Sequence, residues 1–266
     1  ASAHALAAEG ANVVVNSSSS VEAGQAVASA LATDGHYIQG DISDETQCQA
    51  LVEGTIERFG RLDILVNNAG WTTRVDHADH AALTNEILFK TIEVNVYGTW
   101  WMCKAAMPHL KKTEGCIVNV TSIAGLRPMG SSLAYGMAKA ALNALTEDLA
   151  KFHGPVRCNA VAPGLVATPW TSEWSDLHTS IAAISPAGRS ATPEDCAMAV
   201  MACVTNTYMS GTILKVDGGT TWRSEHSAVD HRSAARASAA RVASMVSRFR
   251  ASRSSIPDIF GPIALT

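Results

Sequence analysis

The 266-residue chain is poor in aromatic residues, 6% of the total, and none of its cysteines falls in a CxxC pair. The six cysteines, Cys48, Cys103, Cys116, Cys158, Cys196 and Cys203, are scattered, which excludes a zinc ribbon and speaks against a disulfide framework. They read as reduced thiols, as in a cytoplasmic protein. No apolar run reaches the roughly 18 residues that a membrane span needs. The opening "ASAHALAAEGANVVV" has neither a basic n-region nor an unbroken apolar stretch, so it does not read as a signal peptide. Charge is sparse and nearly balanced, at a net −4, which argues against nucleic acid as a partner. The closest histidines, His77 and His80 in "VDHADHAAL", have no third ligand at a metal-binding spacing and read as a solvated loop.

Aliphatic residues and alternating patterns are abundant. Hydrophobic residues make up 47% of the chain, enough for a sizeable core. Residues 1–9 read as a helix stopped at Gly10, and "ANVVVN" as a buried strand. "VEAGQAVASALATDG" reads as a helix, "HYIQGD" as a strand, and "DETQCQALVEGTIERFG" as a helix capped by Asp44 and stopped by Gly60. Strands follow at "LDILVNNAG", "GCIVNVTS", "VRCNAVAPG" and "GTILKVDGG". Between them lie helices at about 84–111, from Tyr135 to about Phe152, and at "TPEDCAMAVMACV". Short apolar strands alternating with amphipathic helices predict βαβ units: an α/β fold with a doubly wound parallel sheet, its ligands at the carboxyl ends of the strands.

The stretch "SLAYGMAKAALNAL" places Tyr135 and Lys139 four apart, on one helix face. An ammonium one turn from a phenol would lower the phenol from its ordinary value near 10 and prepare it for proton transfer. Further motifs stand in order: "NNAG" at 67–70, "VNVYGT" at 94–99, "VTSIAG" at 120–125, "APG" at 162–164 and "VDGG" at 216–219. With the Tyr-Lys pair, this order and spacing resemble the short-chain dehydrogenase/reductase family over residues 1 to about 222.

The resemblance implies a single Rossmann-type domain, a nicotinamide cofactor, and hydride transfer to or from a carbonyl or alcohol, as in 3-oxoacyl thioester reductases or sugar and polyol dehydrogenases. It implies Tyr135 as acid or base, Ser122 as donor to the substrate oxygen, Lys139 as partner of the nicotinamide ribose, and Asn95 in a proton relay. Asp41 and Ile42 match the adenine side. Asn67, Ala69 and Gly70 match the stretch along the cofactor, with Tyr135 and Lys139 also touching it. Pro163, Gly164, Val166 and Thr168 match the nicotinamide-side loop. Ser17, followed by Ser18, stands where an NAD-type member carries an acid. Hydroxyls accept a 2′-phosphate that a carboxylate repels, so NADP(H) is expected over NAD(H). The loop from Gly164 to Arg189 is expected to be a substrate lid, with Trp170, Trp174 and Trp71 giving a partly apolar pocket. Helices at 84–111 and after Tyr135 are expected to pair subunits into a homodimer or homotetramer.

The chain departs from the family at both ends. A strand and a TGxxxGIG turn should precede "ASAHALAAEG". Their absence implies a fragment or an inactive relic, with two strands left unpaired on their inner edges. Residues 223–266 hold seven arginines and three acids among many Ser and Ala, and read as a disordered or marginally helical tail from a shifted frame. Within it, Val242, Met245, Val246 and Phe249 keep a helical spacing. The alternative function is a catalytically inactive or binding subunit that keeps the pairing helices.

Overall fold

The computed structural model describes residues 1–222; the tail and its Val242 to Phe249 pattern lie outside the described residues. Strands and helices alternate as the sequence predicts. The strands are β1 (Val13–Ser17), β2 (Gly35–Gln39), β3 (Ile64–Asn67), β4 (Cys116–Val120), β5 (Arg157–Pro163) and β6 (Ile213–Val216). The helices are α1 (Ser2–Ala8), α2 (Val21–Ser29), α3 (Glu45–Phe59), α4 (Asn85–Ile92), α5 (Gly98–Thr113), α6 (Leu133–Phe152), α7 (Ser175–Ile184) and α8 (Pro193–Thr205).

All strand pairs are parallel, but they form two sheets: β1 with β2, and β3–β4–β5–β6 in chain order. β1 and β3 each have one edge without a strand partner, and residues of both, Val13 and Val14 against Ile64 to Val66, line the same cavity. This is the division expected where no strand lies between them. Helices join the two sheets instead. Ile42, Cys48 and Leu51 pack with Val94, Trp101 and Met102, which ties the β2–α3 region to α5. The main core lies between β3–β4–β5 and helices α3, α5 and α6, with Leu110, Ile117 and Cys158 fully buried.

Local chemistry sets the element ends. Asp44 accepts from the Thr46 and Gln47 amides at the start of α3, and Gly60 ends that helix at φ 75. Thr192 and Asp195 form a capping box at α8, with Pro193 at its first turn. The long helix expected over 84–111 is present but interrupted: Glu93–Tyr97 is a π-helical segment between α4 and α5. α7 was not expected as a helix. No residue of it is buried and no side chain caps it, although Leu177, Ile181 and Ile184 keep a helical spacing. Among the described residues no helix is long and apolar enough to cross a membrane.

Candidate active site

The carboxyl ends of β4 and β5, the start of α6 and the π-helical segment converge on one cavity of about 1460 Å³. Common ligand pockets run to about 300–1,000 Å³. This one is larger because it continues from the strand ends into the slot between β1 and β3.

Ser122 follows β4. Its Oγ accepts from the Ala124 amide at 3.1 Å and reaches Pro163 O at 3.5 Å. Tyr135 lies in the first turn of α6, placed by the Ser132 cap, whose Oγ accepts from the Tyr135 amide at 3.2 Å. Lys139 is one turn on, 4% exposed, and its Nζ donates to Val120 O at 3.0 Å. Gly125 allows the turn after Ser122 to sit against α6, since a Cβ there would fall 2.6 Å from the Lys139 carbonyl carbon. Asn95 is fully buried at the centre of the π segment. Its Nδ2 donates to Trp71 O at 2.7 Å and Thr91 O at 2.9 Å, while Oδ1 has no partner. π-Bulges cluster at functional sites, and this one turns an amide inward.

The electrostatics differ from the expectation. Burial pushes the Tyr135 phenol up to about 12, opposed by a hydrogen bond with the Ser122 side chain. Burial brings the Lys139 ammonium down to about 8. Removal from water disfavours the charged form of each group, and this outweighs the attraction anticipated between ammonium and phenolate. The geometry agrees: Lys139 Nζ stands over the Tyr135 ring, 5.4 Å from its centroid.

The other expected residues fall into two groups. Ala69, Gly70, Pro163, Gly164, Val166 and Thr168 line the large cavity with Asn95, Ser122, Tyr135 and Lys139. Ser17, Ser18, Asp41 and Ile42 line a second cavity of about 650 Å³, and Ala69 and Gly70 line that one too. Asn67 lines neither: its Nδ2 donates to Asn119 Oδ1 at 2.9 Å and reaches Cys103 Sγ, and Asn68 faces the large cavity instead. A Cβ on Gly70 would sit 2.8 Å from Asn95 Oδ1 and 3.6 Å from Lys139 Nζ, so the bare backbone keeps this junction open.

Trp170 and Trp174 line the large cavity as expected, with ring centroids 6.1 Å apart. Trp71 does not: it faces the second cavity, with Lys90 Nζ 4.6 Å from its ring centroid. Sequence reasoning missed Lys90, because α4 brings it beside serines more than seventy positions earlier in the chain. It also missed the contacts of α7. Leu177, Ser180, Ile181 and Ile184 of α7 line the cavity, and Arg74 grips Asp176 through two hydrogen bonds of 3.2 and 3.0 Å.

A family model described as enoyl-(acyl carrier protein) reductase matches residues 1–221. The chain is 49% identical over 223 residues to a Streptomyces violaceoruber protein named as a ketoacyl reductase of the granaticin polyketide synthase, a match covering 82% of this chain and 89% of the relative. Among solved structures, levodione reductase superposes with a TM-score of 0.76 at 28% identity, covering 84% of this chain and 93% of that one. A structure described as ElxO with NADP bound gives 0.74 at 28% identity, covering 82% and 92%.

Proposed function

The chain belongs to the short-chain dehydrogenase/reductase family and is a nicotinamide-dependent oxidoreductase, and from that premise we propose that it reduces the ketone of a 3-oxoacyl-type substrate with NADP(H). The observation that carries this reading is the convergence of Ser122, Tyr135 and Lys139 on one cavity, which meets the serine-lined cavity at Gly70. The residues present fit a dinucleotide laid across that junction: Gly70 leaves room for close approach, and Asn95 Oδ1 is a buried acceptor with no partner. When bound, the nicotinamide supplies the hydride.

The chain's own residues do the rest. Tyr135, protonated at neutral pH because burial holds it near 12, gives its proton to the oxygen of the reduced carbonyl. Ser122, which lines the same cavity as Tyr135, offers a second donor to that oxygen as charge develops on it. Lys139 holds a ribose hydroxyl, and Asn95 Oδ1 anchors the relay that returns a proton to the site. Trp170 and Trp174 wall the substrate side.

Preference for NADP(H) is supported by Ser17 and Ser18 at the end of β1, with Lys90 bringing an ammonium to the same cavity. The apolar wall and the ketoacyl reductase relative favour 3-oxoacyl substrates over polyols. Exposed Phe89, Tyr97 and Trp100 on the α4–α5 stretch, with Met137 on α6, support a homodimer or homotetramer. Free thiols throughout the described residues support a cytoplasmic setting.

The test is a fluorescence titration with NADPH and NADH, followed by turnover of a 3-oxo ester. Tighter binding of NADPH and consumption of the reduced nicotinamide are expected. Binding of neither nucleotide would overturn the reading.

A further inference from the structure

Besides Ser122 and Tyr135 the large cavity is lined by a hydrogen-bonded pair of buried hydroxyls. Thr72 and Ser131 are each 8% exposed, and their oxygens lie 2.7 Å apart. Both line the cavity. They come from different segments, Thr72 from that after β3 and Ser131 from the residue before the α6 cap, fifty-nine positions apart. The pair is close to the reacting centre. Gly130, next to Ser131, is near enough to the catalytic tyrosine that a Cβ there would sit 3.6 Å from Tyr135 Cδ1. Thr72 is two residues from Gly70, which borders Asn95 and Lys139.

The two hydroxyls of this pair are held by one short and one long hydrogen bond. Two hydroxyls carry two protons, and the contact between them uses one. The other has a single protein acceptor in reach, Thr73 O, at 3.3 Å from Thr72 Oγ1. Thr72 lies in the lining of a cavity that is otherwise largely apolar. A buried hydroxyl with a poorly used proton costs free energy, and a ligand oxygen placed against it recovers that cost.

We propose that Thr72, oriented by Ser131, binds a second oxygen of the substrate, so that the site selects ketones bearing another acceptor oxygen over plain ketones. The inference rests on the hydride-transfer reading and adds a recognition point to it. Ser122 and Tyr135 take the oxygen that is reduced. The Thr72–Ser131 pair takes the ester or thioester carbonyl of a 3-oxoacyl group, which carries its two oxygens on alternate carbons. A site that hydrogen-bonds a substrate oxygen disfavours the analogue lacking it, because its own polar group is then left unpaired.

Ethyl acetoacetate and 2-heptanone have chains of equal length and differ in the second oxygen function. Their kcat/KM values are compared for the wild type, Thr72→Val, Ser131→Ala and the conservative Thr72→Ser. Binding of each compound without nucleotide is read in parallel from tryptophan fluorescence, since Trp170 and Trp174 line the same cavity. The wild type is expected to prefer ethyl acetoacetate. Thr72→Val is expected to reduce the preference about tenfold in both readouts, the worth of one neutral hydrogen bond, and Thr72→Ser to retain it. Ser131→Ala is expected to fall between them. An unchanged ratio in Thr72→Val, or equal losses for both ketones, overturns the inference while leaving hydride transfer standing. Should Thr72→Val not fold, a preference lost in Ser131→Ala and kept in Thr72→Ser supports it, and one kept in both overturns it. Wild-type protein that turns over neither ketone overturns the hydride-transfer reading and this inference together.

Discussion

Lys139 Nζ lies 5.4 Å from the centre of the Tyr135 ring, and its hydrogen bond goes to Val120 O. The two side chains share a helix face, yet the ammonium meets the π face of the phenol and is anchored to the end of β4. In the proposed mechanism Tyr135 is the proton donor, and burial holds it in its neutral form.

Tyr135→Phe removes the proton and keeps the ring. Steady-state turnover of a 3-oxo ester is expected to fall by about 10²–10⁴, the usual contribution of a positioned acid. The thermal midpoint should stay close to the wild-type value, since packing around the ring is retained. Turnover within a few-fold of wild type would remove Tyr135 from the chemistry.

Burial lowers Lys139 from 10.5 to about 8. Between those values the unfolded chain binds more protons than the folded one, so stability rises with pH across that window. Below about 8 the cost of a buried ammonium is present in full. Urea unfolding of the wild type and Lys139→Met at about pH 7 and about pH 9.5 checks this. The wild type is expected to gain on the variant at the higher pH. A constant difference would mean that Lys139 titrates as an ordinary lysine.

Ser17→Asp places a carboxylate at the end of β1, in the cavity that Ser18 and Lys90 also line. A carboxylate repels a 2′-phosphate and accepts from ribose hydroxyls. The ratio of NADPH to NADH dissociation constants, read by fluorescence, is expected to rise at least tenfold. No change in that ratio would place the ribose elsewhere.

Arg74 and Asp176 tie the segment after β3 to α7, and both are well exposed. An exposed pair contributes about 0–1 kcal/mol to stability, so Arg74→Ala should shift the thermal midpoint by no more than about 4 °C. Its effect should fall on substrate retention: KM is expected to rise several-fold with kcat little changed. A loss confined to kcat would show that the contact shapes the reacting centre.

The framework was readable where a residue type has one local use. Asp44 and Gly60 bounded α3, Pro193 opened α8, and the chain order of "NNAG", "VTSIAG" and "APG" marked the strand ends that build the cavity. Properties set by burial or by side-chain direction were not readable. Spacing put Lys139 beside Tyr135 but did not show that both leave water, which reverses the expected effect on the phenol. The direction of Trp71 depends on how the backbone leaves Gly70, and that places it with Lys90 away from the other two tryptophans. α7 carries Leu177, Ile181 and Ile184 at helical spacing, but no side chain caps it, and reading the stretch as a single lid loop leaves that spacing unused.

The separation of β1–β2 from β3–β6 has a mechanical consequence. Ala69 and Gly70 are the point where the large cavity, lined by strands of both sheets, meets the serine-lined cavity at the end of β1. A dinucleotide spanning that point would grip both leaves at once and act as a fastener between them. Ligation would then restrain their independent breathing, and the strand amides along the slot would open to solvent less often in the bound protein than in the free one.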